Sequence, residues 1–280
     1  MGYDIVLSYG HGEETYRVKH SKGVTVNGVQ YAEHTHNYQV GTRVKAIVER
    51  HGVSVLEVQP PNGVDIPLRM RTDKANAANV KLYYSIHSNS GASTARGWCG
   101  FYWSTSAAGK RIAEIYARNM AAIGLPLYHG GTWGSVKGTW NDFHELRETH
   151  MVALLTENGF MTNPEDFQYI FLNKDGYWDR MAEAHAKTIL EYLGKAYIEK
   201  APEQAPVAPT PVAPSDTFRI KVITQDLWYY DRPDWNAKKA LVHAGDVFTV
   251  VETLVVNGSK MYKLKSGTYI TASPKYVQVM

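Results

Sequence analysis

Leu82-Tyr83-Tyr84-Ser85-Ile86-His87-Ser88-Asn89 is the stretch on which the reading of this chain turns. It begins as an apolar, aromatic run suited to a buried strand and ends by delivering an imidazole and an amide into a loop rich in Ser, Asn and Gly. Taken alone, such a histidine is as much an ordinary polar residue as a ligand. Two further runs of the same design change that balance. Tyr3-Asp4-Ile5-Val6-Leu7-Ser8-Tyr9 leads into Gly10-His11-Gly12, and Met151-Val152-Ala153-Leu154-Leu155-Thr156 leads into Glu157-Asn158-Gly159-Phe160. Three core strands that each end in a potentially ligating residue predict one site at the edge of a single sheet.

Around these strands the N-terminal part alternates strand-like and helix-like segments. A helix is expected over about 32–51, with Val40, Val44, Ile47 and Val48 at helical spacing. A short strand is expected at 53–58, a helix at 73–79 capped by Thr72, and a strand at 97–103. An amphipathic helix at 106–123 carries Ile112, Ile115, Tyr116 and Met120 on one face, and a last helix covers 177–198. The alternation predicts an α/β layered domain over 1–198, its central sheet mixed or mostly parallel and flanked by helices. Ala201 to Ser215 is a Pro/Ala stretch that favours an extended spacer, so 199–215 reads as a linker. Residues 216–280 show short strand-like runs broken by Arg232-Pro233-Asp234, Asn257-Gly258 and Ser266-Gly267, the pattern of a small all-β barrel.

Composition narrows the function classes. At 44% hydrophobic and 20% charged residues, the 280-residue chain reads as ordinary globular protein. A formal charge of +3 is too mild to imply nucleic acid, and all of that excess lies from Asp216 onward, where it suits a polyanionic surface. Nothing in the sequence spans a bilayer, and the opening Met-Gly-Tyr-Asp-Ile lacks a signal-peptide pattern. The expectation is synthesis in the cytoplasm, with release by something other than a signal peptide if the protein acts outside. The single Cys99 excludes an intramolecular disulfide and a thiolate metal cluster, and beside Trp98 and Phe101 it reads as a core residue rather than a nucleophile.

Histidines and carboxylates alone suffice for a zinc site with three protein ligands and one position left for chemistry. His11 and His87 are the natural imidazoles. Glu33, at the start of its helix, is the favoured carboxylate, with Glu13 and Glu14 as competitors by proximity to His11. Glu157 fits a general base, though it also fits a turn cap. His34-Thr35-His36 is a poor chelating pair, because neighbours at i and i+2 of a helix diverge, and solvated residues are expected there. His144-Glu145-Leu146-Arg147-Glu148-Thr149-His150 superficially resembles a metalloprotease helix, but its second histidine is at i+6 instead of i+4, and the segment is discounted.

Several motifs in order carry a specific resemblance. Gly10-His11-Gly12, Glu33 with Asn37, Val64-Asp65-Ile66-Pro67-Leu68-Arg69, Arg71-Thr72-Asp73-Lys74-Ala75-Asn76 and Ser85-Ile86-His87-Ser88-Asn89 are five of them. Leu146-Arg147-Glu148-Thr149 leads on to Thr156-Glu157-Asn158-Gly159-Phe160-Met161-Thr162-Asn163. Together they resemble the zinc-dependent N-acetylmuramoyl-L-alanine amidases of the amidase 3 type over nearly all of residues 1–198. The resemblance implies zinc on His11, Glu33 and His87, with Glu157 as catalytic carboxylate. The reaction it implies is hydrolysis of the amide between N-acetylmuramic acid and the L-Ala of the peptidoglycan stem. Arg147 is then a candidate for the oxyanion, or equally a surface ion-pair partner of Glu145 or Glu148. Two departures stand out: Ser8-Tyr9 replaces the Asp-Pro of the family's Asp-Pro-Gly-His-Gly opening, and the interval from His11 to Glu33 is long.

The tail resembles bacterial SH3-like wall-binding domains more loosely. It is dense in aromatics: Trp228, Tyr229, Tyr230, Trp235, Tyr262, Tyr269 and Tyr276. An amidase, a Pro-rich linker and a wall-binding barrel without a signal peptide look like a phage endolysin. The implied partners are peptidoglycan and its associated wall polymers, reached as a monomer after release, with no nucleic acid and no membrane. A sporulation autolysin, a zinc peptidase acting on wall stem peptides and a catalytically dead wall binder are the alternatives.

Overall fold

The computed structural model describes residues 2–19, 21–61, 63–199, 210–211, 217–256 and 258–280. It divides into two compact units, Met1–Ile198 and Glu199–Met280. Apart from Thr210-Pro211, the expected Pro/Ala linker of 201–215 lies outside the described residues, as does Asn257 of the expected turn.

The first unit is a three-layer α/β domain. Its elements in chain order are β1 (Ile5–Tyr9), α1 (Thr15–Lys19), β2 (Gly23–Val26), β3 (Val29–Ala32), α2 (Glu33–Arg50), β4 (Val55–Gln59), α3 (Leu68–Ala78) and β5 (Leu82–Asn89). Then follow β6 (Trp98–Trp103), α4 (Ala107–Ala122), β7 (Leu127–Ser135), α5 (His144–Arg147), β8 (Val152–Phe160), α6 (Pro164–Ile170) and α7 (Tyr177–Tyr192). Six strands form one sheet in the order β4-β1-β5-β8-β6-β7, mixed as expected. All neighbours run parallel except β8 and β6. The alternating side chains of each strand feed a core on either face. Ile5, Leu7, Leu82, Tyr84 and Leu154 pack under α2, α4 and α7, while Val6, Tyr83, Phe101 and Leu155 pack with Leu146 and Ala75 of α5 and α3. Cys99 is buried in that second core, as expected, and burial pushes its thiol up to about 12.

Several elements differ from expectation for identifiable reasons. Thr72 does not cap a helix. The helix starts at Leu68, behind Pro67, whose fixed φ suits a helix entry, and Thr72 Oγ1 bonds back to the carbonyls of Leu68 and Arg69. The last helix stops at Tyr192, because Gly194 turns left-handed at φ +69° and Lys195 N–H closes back onto Leu190 O at 2.8 Å. Strand β7 escapes the sequence pattern because His129, Gly130 and Gly131 all have positive φ, and the register against β6 shifts there. The polar excursion after His11 contains α1 and a hairpin, β2–β3, turned by Asn27-Gly28 at φ +50° and +78°. That dipeptide is a strong hairpin signal, and it explains the long interval before Glu33.

One core group makes stability depend on pH. His185 of α7 is fully buried, bonded at Nδ1 to Tyr84 OH at 2.6 Å, and burial holds its imidazole down at about 3. Above pH ~6.5 both folded and unfolded states keep it neutral. As pH falls below ~6.5, only the unfolded chain takes the proton, so the fold loses about 1.4 kcal/mol per pH unit from this residue until the folded value is reached. Denaturant midpoints at pH 7 and 5 should register that fall. An NMR titration of His185 centred near its unperturbed value would contradict it.

The second unit is all-β. Beside β9 (Thr210–Pro211) it comprises β10 (Phe218–Val222), β11 (Asp226–Tyr230), β12 (Lys238–His243), β13 (Val247–Val256), β14 (Ser259–Leu264), β15 (Tyr269–Thr271) and β16 (Val277–Val279). The order is β12-β11-β15-β14-β13-β10-β16, with β9 on β13, and every pairing is antiparallel. Tyr229 and Tyr262 pack against one small core, and Tyr230, Trp235 and Tyr269 against another, so five of the seven aromatics serve packing. Trp228 stays exposed, with Lys238 Nζ 5.4 Å from its ring.

Candidate functional site

The site lies just past the end of β1, beside the last residues of β5 and the C-terminal half of β8. The β5–β8 register sets His87 directly beside Glu157, and Gly10 N–H on the other side bonds Ile86 O at 2.9 Å. Strand β8 continues to Phe160, so Glu157 sits within the strand and not after it, and a turn-cap role falls away. Gly10 is required by close approach: a Cβ there would meet His87 Nδ1 and Cε1 at 2.4 Å. His11 follows in the left-handed region at φ +65°, an uncommon conformation for a non-glycine residue, and this aims its ring into the site.

Glu33, first residue of α2, enters from above. Asn37, one turn on, braces it by donating Nδ2 to Glu33 Oε1 at 3.3 Å and to Gly10 O at 3.0 Å. Glu33 Oε2 lies 3.2 Å from His11 Nε2, and Oε1 lies 3.1 Å from His87 Nδ1 and accepts from Ser88 N–H at 3.1 Å. One ligand atom from each of His11, Glu33 and His87 lies within 4.8 Å of the other two. Two imidazole nitrogens and a carboxylate oxygen form a donor set that fits a catalytic zinc ion with a position left free. Burial raises the Glu33 carboxyl, but the charges and hydrogen bonds of the two histidines outweigh it and hold the group well below the usual range.

Glu157 is in the opposite state. Burial pushes its carboxyl up to about 8 against the opposing pull of His87, and Glu33 adds to the push. Its Oε2 is buried without a hydrogen-bond partner among the described residues. A carboxyl poised between its two protonation states beside a metal-type cluster can both take and return a proton. These groups open into a cleft of 540 Å³ lined also by Lys22, Ser88, Trp140, Phe143, His144 and Met161.

The competing carboxylates go elsewhere or stay outside the cluster. Glu14 accepts from Asp65 N–H at 3.1 Å and clamps that loop, and Glu13 is not one of the three converging side chains. His34 and His36 diverge as expected but are buried, not solvated. His34 Nδ1 donates to Gly10 O at 3.1 Å and His36 Nδ1 meets Ser88 Oγ at 2.7 Å, because α2 presses its first turn onto the sheet edge. Arg147 is absent from the cleft lining. Its guanidinium donates to Glu148 at 2.6 Å and pairs with Asp142, so the surface ion-pair alternative fits its placement. The discounted segment 144–150 nevertheless contributes to the site. Its helix is one turn long, which rules out helix-borne chelation, yet it inserts Glu145 beside His87 and puts His144 on the cleft wall. Trp140 carried no signal in the sequence beyond being aromatic in a loop.

Residues 5–191 match the family model described as N-acetylmuramoyl-L-alanine amidase, and residues 214–277 match a domain of unknown function, DUF5776. The chain is similar along nearly its whole length to the endolysin of Bacillus phage SPP1, with 33% identity over 284 residues covering 98% of this chain and 97% of that one. Its structure is similar to that of N-acetylmuramoyl-L-alanine amidase AmiC2 of Nostoc punctiforme, with a TM-score of 0.57, 27% identity, and coverage of 69% of this chain and 98% of that one. It is similar also to the catalytic domain of CwlV, an N-acetylmuramoyl-L-alanine amidase from Bacillus (Paenibacillus) polymyxa var. colistinus, with a TM-score of 0.58, 25% identity, and coverage of 69% and 99%.

Proposed function

The chain belongs to the N-acetylmuramoyl-L-alanine amidase family, and from that premise we propose that it works as a zinc-dependent endolysin. On this reading His11, Glu33 and His87 hold the metal and Glu157 moves the proton. The bond opened is the amide between the lactyl group of N-acetylmuramic acid and the L-Ala of the stem peptide. The observation that carries the zinc reading is the convergence of three donor atoms within 4.8 Å beside a carboxyl raised to about 8. When bound, zinc supplies Lewis acidity toward a water molecule and toward the scissile carbonyl. The chain's own residues do the rest. Glu157 takes the attacking water's proton onto its carboxylate and returns it to the departing alanine nitrogen, which would otherwise leave as an amide anion. Glu33 and Asn37 keep the cluster in register with Gly10, and Trp140 and Phe143 wall the cleft around the substrate. Arg147 is given no part. Stripping the full chain with a chelator should abolish hydrolysis, and one equivalent of zinc should restore it. Full activity of metal-free protein would overturn the reading.

The endolysin part rests on the full-length similarity to a phage endolysin. Residues 216–280 are proposed as the wall-binding part, an SH3-like module with a net positive charge and an exposed Trp228. The proposed partners are peptidoglycan and its attached polymers, with the protein acting as a monomer from the host side after release. No nucleic acid or membrane takes part. Among the described residues no helix is long and apolar enough to cross a membrane. A chain ending near residue 200 is expected to cleave soluble muropeptides at near-normal rate and to lose most activity on intact walls, since the tail contributes local concentration and not chemistry. Equal clearing of intact cells by the truncated and full chains would contradict a targeting tail.

A further inference from the structure

Glu145 is a carboxylate buried at 3% exposure, on a single-turn helix, at the back of the site. A buried charge of this kind is costly unless it is fully hydrogen-bonded. Here Ser8 Oγ donates to Oε1 at 2.8 Å, Tyr83 OH donates to the same oxygen, and Ser85 Oγ donates to Oε2 at 3.1 Å. Arg71 Nη1 reaches Ser8 Oγ at 3.4 Å and brings a positive charge to the edge of the cluster. Three hydroxyls from two adjacent strands therefore fix the carboxylate from behind. In front of it, Oε2 faces His87 Nε2 at 3.5 Å. That nitrogen is buried and has no formed hydrogen bond among the described residues, while the other ring nitrogen, Nδ1, is the one that meets Glu33. A movement of a few tenths of an ångström brings Nε2–H to hydrogen-bond distance from Oε2.

We infer that Glu145 is a positioning residue. It accepts the Nε2 proton of His87, fixes that tautomer, and so leaves the Nδ1 lone pair aimed at the cluster formed with His11 and Glu33. This rests on the reading of that cluster as a zinc site. A carboxylate behind a ligating imidazole orients the ring and raises its basicity, and removing such a partner costs about 10- to 100-fold in metal affinity. The arrangement also explains why Ser8, Tyr83 and Ser85 all present hydroxyls to the apolar space between the sheet and α5. They hold the carboxylate and not the ring itself.

The test uses the full chain and zinc in competition with a chromophoric chelator. Glu145→Gln keeps the volume and one acceptor oxygen but loses the charge. It should fold and bind zinc about 10- to 100-fold more weakly. A merely structural role would lower the thermal midpoint and leave the zinc dissociation constant unchanged. In parallel, ¹⁵N NMR of the His87 ring in zinc-loaded wild type should show the proton on Nε2 and none on Nδ1, a readout that stands even if the variant fails to fold. Unchanged zinc affinity in folded Glu145→Gln, or a proton on Nδ1 in the loaded wild type, overturns the inference alone. Failure of the wild type to bind zinc overturns the zinc reading and the inference with it.

Discussion

Glu157→Gln protein is expected to fold, keep its zinc and lose about 100- to 10,000-fold of its turnover, the usual cost of removing a general base. The amide has the same shape and fits the same place on β8 beside His87, so the sheet register and the cluster of His11, Glu33 and His87 should be untouched. It cannot take a proton from water at neutral pH, which is the only task assigned to Glu157. Its volume-neutral replacement also removes a carboxyl that burial already disfavours in its charged form, so no loss of stability is expected. Glu33→Gln is the contrasting variant. It removes the charge that His11 and His87 face at 3.2 and 3.1 Å, so it should weaken zinc binding before it affects any proton transfer. Metal analysis and single-turnover kinetics on the two variants separate the roles. Zinc lost from Glu157→Gln and kept by Glu33→Gln would mean that ligand and base have been exchanged.

The second large effect is at His87. His87→Ala removes one of three donors and leaves Glu33 and Glu145 facing each other's charge across a cavity without the ring between them. Tight zinc binding should vanish and activity with it, and the fold should lose on the order of 1–3 kcal/mol for each buried polar group left without its partner. Zinc stoichiometry by elemental analysis and a wall-clearing assay report both losses. A His87→Ala protein that still carries one equivalent of zinc and still clears walls would sink the ligand assignment.

Much of the site was legible because strand ends announce themselves. Runs such as Leu82–Ile86 and Val152–Thr156 are too apolar to lie anywhere but in the core, so the polar residue that follows each is fixed in space by the sheet. His11, His87 and Glu157 follow from that geometry. Glu33 did not. Its place depends on the Asn27-Gly28 hairpin, which carries the chain out and back so that α2 begins above the sheet edge. Glu145 was hidden for a different reason. The period of its segment matches neither a strand nor a chelating helix, and its burial depends on hydroxyls of Ser8, Tyr83 and Ser85, which are 137, 62 and 60 residues away in sequence. The reading of His34 and His36 as solvated failed similarly. Helical spacing separated their directions correctly but said nothing of the loops and strands waiting on both sides. In the tail, short strand-like runs broken by turn residues foretold an all-β unit, but pattern alone does not divide aromatics between packing and surface.

Mass spectrometry of purified wall digested by the full chain addresses the central claim most directly. The expected products are glycan strands whose N-acetylmuramic acid carries a free lactyl carboxyl, together with stem peptides bearing a new amino-terminal L-Ala. Both should appear with zinc-loaded protein and neither with chelator-stripped protein. Stem peptides cut internally, with the lactyl amide intact, would contradict the amidase assignment and make the protein a wall peptidase.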